Sequence, residues 1–153
     1  MEMNGVAHIQ LTVNEFAACR DFYSRLFAWL EMRVIFDSDQ VFYGVGSRTG
    51  IAICPADVQF RTERFEQRRI GLHHFCLRAR RREDVDALHV FLGSIGARIV
   101  HPPEEASWAP GYYSVLFEDP DGIRIEANHV PGKGNLTDDV VLPIDVERLA
   151  RAP

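Results

Sequence analysis

The feature that most constrains the fold of this chain is an internal repeat. A short strand, an amphipathic helix and three more strands are predicted in the first third of the chain, and the same order returns from Gly71 onward. His8 and His74 lie 66 residues apart, and so do Leu30 and Gly96 at the two predicted helix ends. Because one offset holds across a strand and a helix, the sequence indicates an α+β protein built from two tandem βαβββ modules.

The first module, residues 1–58, has clear periodicities. Residues 6–13 alternate between apolar and polar side chains, which is typical of a strand with one buried face. Asn14 is the predicted N-cap of a helix whose apolar residues recur at helical spacing up to Leu30. Three short strands are then predicted at residues 32–36, 40–45 and 51–54.

The second module, residues 70–130, repeats this pattern around a longer loop. Its last strand aligns with that of the first module at an offset of 72, which makes Cys54 the predicted partner of Glu126. Residues 101–111 contain three prolines and are predicted to be irregular, forming a rim or a lid. The remaining residues, 131–153, are predicted to be a tail that wraps the body or a partner subunit.

Composition narrows the function classes. With 153 residues, 46% of them hydrophobic, the chain can bury a proper core, and its net charge of -5 argues against nucleic acid as a partner. No apolar run approaches the roughly 20 residues of a membrane span, and the first residues lack a signal-peptide pattern. The three cysteines are odd in number and contain no Cys-x-x-Cys pair, so a cytoplasmic protein with reduced thiols is expected.

Three residues form the leading candidate site. His8 and His74 occupy matching positions near the starts of the two modules, and Glu126 lies in the strand that follows a tight Asp-Pro-Asp-Gly turn. A single histidine is more often structural, but the symmetric placement favours a joint role. Two imidazoles and one carboxylate can hold one face of a divalent metal and leave open positions for substrate oxygens, as in non-heme Fe(II) oxygenases.

These residues resemble those of the vicinal oxygen chelate superfamily, which groups glyoxalase I, bleomycin-resistance proteins, fosfomycin-resistance thiol transferases and extradiol dioxygenases. The resemblance covers residues 5–130 and is carried by the two histidines, Phe22-Tyr23, the turn at 119–122 and Glu126. It implies cup-shaped, mostly antiparallel sheets, a small-molecule substrate or ligand, and a homodimer. It also implies one divalent ion, Fe(II), Mn(II), Zn(II) or Ni(II), held by His8, His74 and Glu126.

The departures from the family pattern bear on the activity. Where glyoxalase I has a glutamate, this chain has Cys54, so ordinary glyoxalase I activity is not expected, and Cys54 is either a soft fourth ligand or a small lining residue. Where many extradiol dioxygenases and the fosfomycin transferases have a tyrosine, this chain has Leu116. A site completed within one chain and a site completed across two chains both occur among related proteins.

Two further residues are candidates for catalysis. Tyr112 shares strand parity with Ser114, and its hydroxyl could reach a metal-bound substrate, although a cross-strand aromatic pair is the alternative. His101 lies in the predicted loop and could serve as an acid or base near neutral pH. His74 is preferred over His73 as a ligand because it shares parity with Cys76.

The expected function is therefore a metal-dependent enzyme, dioxygenase-like or lyase-like, acting on a small substrate that chelates the metal through adjacent oxygens. The alternatives are a bleomycin-resistance-type protein that sequesters its ligand without chemistry, and a fosfomycin-resistance-type thiol transferase.

Overall fold

The computed structural model describes residues 5–134, which form two compact units. Residues up to 69 and the short segment 119–123 belong to the first unit, and residues 70–118 and 124 onward belong to the second. The predicted α+β order of two βαβββ modules is confirmed. The predicted tail lies outside the described residues from residue 135 onward. Neither helix in the described part of the chain is long and apolar enough to cross a membrane.

The first unit is one four-stranded sheet with a helix packed on one face. The sheet order is β1-β4-β3-β2, with β1 parallel to β4 and the other pairs antiparallel. The apolar face of the helix packs on the sheet, and the aromatic ring of Phe27 lies directly over Gly44, where a side chain would clash. The elements are β1 (His8–Val13), α1 (Phe16–Trp29), β2 (Arg33–Asp37), β3 (Phe42–Gly46), β4 (Thr49–Pro55) and a 3₁₀ turn (Val58–Phe60).

The second unit has the same topology. Its sheet order is β5-β8-β7-β6, again with one parallel pair, β5 with β8, and two antiparallel pairs. The apolar side chains Val85, Leu88 and Leu92 of the helix are buried. The elements are β5 (Phe75–Arg78), α2 (Arg82–Ser94), β6 (Arg98–Ala106), β7 (Tyr112–Glu118) and β8 (Arg124–His129).

The N-terminus of α1 differs from the prediction. Asn14 is not its N-cap: the helix begins at Phe16 and Glu15 precedes it, with no capping side chain of its own. The carboxylate of Asp121 instead accepts hydrogen bonds from the backbone N–H groups of Asn14 and Glu15. An anionic acceptor is favourable at a helix N-terminus, because the first N–H groups have no partner within the helix and carry positive partial charge.

The Asp-Pro-Asp-Gly turn also supplies a buried hydrogen bond in the first unit. The hydroxyl of Tyr23 donates to the carboxylate of Asp119 at 3.0 Å, and both residues are buried. The other carboxylate oxygen of Asp119 accepts the backbone N–H groups of Asp121 and Ile123. Burial raises the pKa of Asp119 to about 6, and the hydrogen bonds from Ile123 and Tyr23 oppose that rise. The turn is thus structural, since its two carboxylates hold α1.

The predicted loop at residues 101–105 is wrong, because these residues belong to the edge strand β6. The strand pairs with β7, but its register shifts twice, between Ile99 and His101 and between His101 and Glu104. Proline cannot donate to a ladder, and an edge strand tolerates it because one side of the strand needs no ladder partner. The prolines therefore produce an irregular edge strand here. The connection to β7 is the turn that includes Trp108 and Gly111.

The predicted pairing of Cys54 with Glu126 is also corrected by strand register. In the second unit Glu126 lies opposite Cys76 on the neighbouring parallel strand. The matching residue of β1 is Gln10, which lies opposite Ala52. The structural counterpart of Glu126 is therefore Ala52, two residues before Cys54. Side chains alternate along a strand, so Ala52 and Cys54 lie on the same face of β4. The predicted face is therefore correct, although the predicted residue is two positions away.

Candidate metal centre

Two of the three predicted ligands meet in the second unit, on the sheet face opposite α2, which we call its far face. Glu126 lies in β8, and His74 immediately precedes the neighbouring strand β5. The imidazole Nε2 of His74 is 3.2 Å from the carboxylate Oε2 of Glu126. The Glu126 side chain is 11% exposed and that of His74 is 35% exposed, so the pair opens to solvent on the histidine side.

The second oxygen of Glu126 has its own partner. The hydroxyl of Tyr112 donates to Oε1 of Glu126 at 2.7 Å. Burial alone would raise the pKa of Glu126, but hydrogen bonds from His74, Tyr112 and Ser114 together hold that pKa below its ordinary value. Glu126 is therefore a carboxylate at neutral pH, with one oxygen engaged by Tyr112 and the other directed at His74.

This pair of donors fits a divalent metal. Metal–nitrogen and metal–oxygen bonds of about 2.0–2.2 Å place two neighbouring ligands of one ion roughly 3–3.5 Å apart, for bond angles near 90–110°. The 3.2 Å between Nε2 of His74 and Oε2 of Glu126 lies in this range. A neutral imidazole with a carboxylate is a donor set that suits Zn, Fe, Ni and Mn.

The third predicted ligand, His8, lies in the first unit. It is the first residue of β1, exposed, on the sheet face opposite α1, which it shares with Gln10 and Thr12. Within residues 5–134 there is no group of three or more His, Cys, Asp or Glu side chains arranged to hold a metal. The complete trio of His8, His74 and Glu126 stays a prediction.

The choice between the two adjacent histidines rested on strand parity, and that reason is corrected. Residues 72–74 precede β5 and are not in a strand, so alternation does not separate His73 from His74. The two imidazoles contact each other through Nδ1 and Nδ1, 2.7 Å apart. His74 is nevertheless the one that reaches Glu126.

The two candidate catalytic residues lie in different surroundings. Tyr112 is on the far face beside Glu126, whereas Tyr113 lies on the α2 side, where its hydroxyl donates to Asp86. The pKa of Tyr112 is raised, mainly by burial and next by the hydrogen bond to the Glu126 carboxylate. The hydroxyl therefore keeps its proton at neutral pH. His101 lies in β6, where its Nδ1 is 3.6 Å from a carboxylate oxygen of Glu104. One strand, β7, separates His101 from Glu126, so the two backbones are about 10 Å apart at ordinary strand spacing.

Cys76 lies beside Glu126 in the second unit, whereas Cys19 and Cys54 lie in the first unit. In the second unit, desolvation of the Cys76 thiol is the larger cause and the Glu126 carboxylate the second cause that raise the pKa of Cys76, although the residue as a whole is exposed. In the first unit Cys54 lies 3.6 Å from the hydroxyl of Thr12. Cys19 is fully buried on α1, as its helical position predicts.

Three contributors to the site were missed from the sequence. Ser114 is 2% exposed and hydrogen-bonds to Glu126, Asn128 hydrogen-bonds to Tyr112, and His73 contacts His74. The parity of Ser114 with Tyr112 was a usable signal, because alternate residues of β7 share a face. The roles of Asn128 and His73 depend on strand register and on the irregular backbone before β5, which local periodicity does not report.

Comparisons with known proteins agree with this fold. A protein of Bacillus subtilis, the uncharacterized protein YqjT, is 26% identical over 120 residues, covering 78% of this chain and 94% of that protein. A solved glyoxylase/bleomycin resistance protein/dioxygenase domain from Frankia sp. EAN1pec is 25% identical, with a TM-score of 0.69 and coverage of 84% of this chain and 98% of that one. The structure of lactoylglutathione lyase from Agrobacterium tumefaciens is 19% identical, with a TM-score of 0.61 over 84% of this chain and 96% of that one, and supports the fold alone.

The family itself is identified by the sequence profile that matches residues 5–127, most of the chain. The profile spans both βαβββ modules, including the strands and turns that hold His74 and Glu126. The chain belongs to the glyoxalase/bleomycin resistance protein/dioxygenase superfamily.

Proposed function

We propose that this protein is a divalent-metal-dependent enzyme acting on a small substrate that binds through two adjacent oxygens. The observation that carries the proposal is the 3.2 Å approach of His74 Nε2 to Glu126 Oε2, beside a tyrosine hydroxyl. His74 and Glu126 would hold the metal, with His8 as the third ligand predicted from the sequence. The bound ion would supply Lewis-acid polarisation of the substrate oxygens.

The protein groups around this pair have separable tasks. Tyr112 occupies Oε1 of Glu126 and so leaves Oε2 as the oxygen available to a ligand. Because its pKa is raised, the Tyr112 hydroxyl acts as a hydrogen-bond donor and not as a base. The single O–H of Tyr112 is donated to Glu126, so Tyr112 orients that carboxylate. His101, two strands away, would act as an acid or base only toward a substrate that extends to β6.

The reaction class is proposed as dioxygenase-like or lyase-like. The counterpart of Glu126 in the first unit is Ala52, and Cys54 lies two residues beyond it. A second carboxylate ligand like that of glyoxalase I is therefore lacking at both positions. A three-ligand centre that keeps open positions suits substrates that chelate the metal.

The experiment that tests this proposal is an activity screen of protein reconstituted separately with Fe(II), Mn(II), Zn(II) and Ni(II). Oxygen consumption with catechols would report a dioxygenase, and turnover of small oxygen-chelating substrates without oxygen consumption would report a lyase. We expect metal-dependent turnover in one of these classes. Glu126→Ala should lower it by more than about 100-fold, since removal of even an outer partner of a metal ligand costs about 10- to 100-fold.

The matched control is Glu83→Ala, which removes an exposed carboxylate from α2 in the same unit and should leave turnover unchanged. Turnover that is insensitive both to chelators and to Glu126→Ala would contradict the proposal. Tight binding of an aromatic ligand without metal and without turnover would favour sequestration of the bleomycin-resistance type.

We also propose that the protein is a homodimer. The edge strand β2 exposes Val34, Ile35 and Phe36, which are 41%, 48% and 56% exposed. Exposed apolar residues on an unpaired edge favour pairing with another chain. Sedimentation of the purified protein should give twice the chain mass, and Phe36→Asp should weaken the association; a monomer at micromolar concentration would contradict it.

A further inference from the structure

The contact between the two adjacent histidines has a consequence for the proposed metal site. Nδ1 of His73 and Nδ1 of His74 are 2.7 Å apart, and the two rings meet edge to face with centroids 4.9 Å apart. A separation of 2.7 Å between two ring nitrogens is a hydrogen-bond distance, and it requires one proton between them. One of the two nitrogens is therefore a donor and the other an acceptor.

If His74 is a metal ligand, that role decides which of the two Nδ1 nitrogens is the hydrogen-bond donor. Without a metal, Nε2 of His74 donates its proton to Glu126, and Nδ1 of His74 accepts the proton shared with Nδ1 of His73. Nε2 of His74 can bind a metal only after it has lost its proton. The neutral imidazole of His74 must then keep its proton on Nδ1, so Nδ1 of His74 donates to Nδ1 of His73. His73 must in turn carry its own proton on Nε2.

We propose that His73 is a positioning residue that accepts the Nδ1–H of His74 when a metal binds, and so holds the tautomer and ring orientation in which Nε2 of His74 is free to bind the metal beside Glu126. This inference rests on the proposed metal-dependent function. Metal-bound histidines usually give their second N–H to a carboxylate, a backbone carbonyl or water, and loss of that partner weakens metal binding about 10- to 100-fold. Here a neighbouring imidazole takes this role.

The local backbone makes this possible. Adjacent residues of a strand point to opposite faces, so neighbouring histidines within β5 could not meet. Because β5 begins only at Phe75, the irregular segment before it lets both rings lie on one side. In the first unit the residue before His8 is Ala7, which has no ring, so His8 has no such neighbouring imidazole.

Two substitutions separate the hydrogen bond from the shape of the ring. His73→Phe keeps a planar ring and removes the acceptor, whereas His73→Asn places an acceptor oxygen where Nδ1 lies. We expect Zn²⁺ affinity, measured by competition with a chromophoric chelator, to fall about 10- to 100-fold in His73→Phe and to stay within about threefold of wild type in His73→Asn. His89→Phe, a histidine-to-phenylalanine change on α2, should leave the affinity unchanged. Equal affinity in His73→Phe and wild type would overturn the proposal.

Nuclear magnetic resonance distinguishes failure of this inference from failure of the proposed function. A through-hydrogen-bond coupling between the two Nδ1 nuclei of ¹⁵N-labelled protein reports the contact with or without metal. With Zn²⁺ bound, the proton should reside on Nδ1 of His74. If wild type binds no Zn²⁺, the proposed function fails and so does the metal-positioning role. If it binds Zn²⁺ but lacks the coupling, the His73 role alone is overturned.

Discussion

The two units share one topology and differ in the chemistry of the face opposite the helix. In the second unit this face holds Glu126 within hydrogen-bond range of both His74 and Tyr112. In the first unit the positions that correspond to His74 and Glu126 hold His8 and Ala52. The same sheet topology therefore carries very different sites, because a single residue at one ladder position decides whether a carboxylate is present.

The helix N-termini show a second contrast. In α2, Arg81 and Asp84 form a local capping box, and Asp84 lies in the first turn. In α1 the acceptor is Asp121, more than a hundred residues away in sequence. The same requirement, partners for the first N–H groups, is met by a local residue in one unit and a distant one in the other.

The largest expected effect comes from forcing the first unit to resemble the second. Ala52→Glu would place a carboxylate at the counterpart of Glu126, in a position that is only 6% exposed. Without the hydrogen bonds that Glu126 receives, the buried charge should destabilise the protein by about 3 kcal/mol. Urea unfolding at pH 7 measures this, and Cys54→Glu, at a more exposed position, should cost clearly less. An equal loss of stability in Ala52→Glu and Cys54→Glu would contradict the assignment of Ala52 as the counterpart of Glu126.

The next largest effect is the pH dependence of folding stability that Asp119 causes in the first unit. Its folded pKa of about 6 lies above the ordinary value of 3.8, so protonation of Asp119 favours the folded state. That contribution is fully present below pH 3.8 and is lost as the pH rises through about 6. Relative to Asp119→Asn, the wild type should lose about 2 kcal/mol of stability between pH 4.5 and pH 7. Urea unfolding of both proteins across this range measures the difference, and parallel pH profiles would contradict it.

The smallest effect concerns the caps. Asp121→Ala removes the acceptor at the N-terminus of α1 and should cost about 1 kcal/mol of stability. Asp84→Ala removes the local acceptor of α2 and serves as its matched counterpart. Amide exchange should speed up in the first turn of α1 for the first variant and of α2 for the second. Unchanged exchange at Asn14 and Glu15 in Asp121→Ala would contradict the long-range cap.

The sequence predicted what depends on short-range pattern. Strand alternation and helical spacing placed both helices and most strands within a few residues, and the repeat offset predicted the tandem modules. The resemblance carried by His8, His74 and Glu126 identified the superfamily that the profile match confirms. Each of these signals is set by neighbouring residues or by a fixed offset along the chain.

The errors arose where distant residues decide the outcome. The counterpart of Glu126 is Ala52 and not Cys54, because the offset between the two modules along the chain does not reveal how the strands are paired. The cap of α1 comes from Asp121 because a long-range carboxylate competes with the local Asn14 side chain. The His73 contact arises because β5 begins one residue after His74, a boundary that periodicity locates only approximately.

The central claim is that His74 and Glu126 hold a metal ion, and its most direct test is elemental analysis of anaerobically purified protein. Wild type should contain about one divalent ion for each site, and Glu126→Gln, which keeps the size of the side chain and removes its charge, should contain far less. Glu104→Gln, at an exposed carboxylate of β6, should match wild type. Equal metal content in wild type and Glu126→Gln, or no metal in wild type even after reconstitution, would contradict the account.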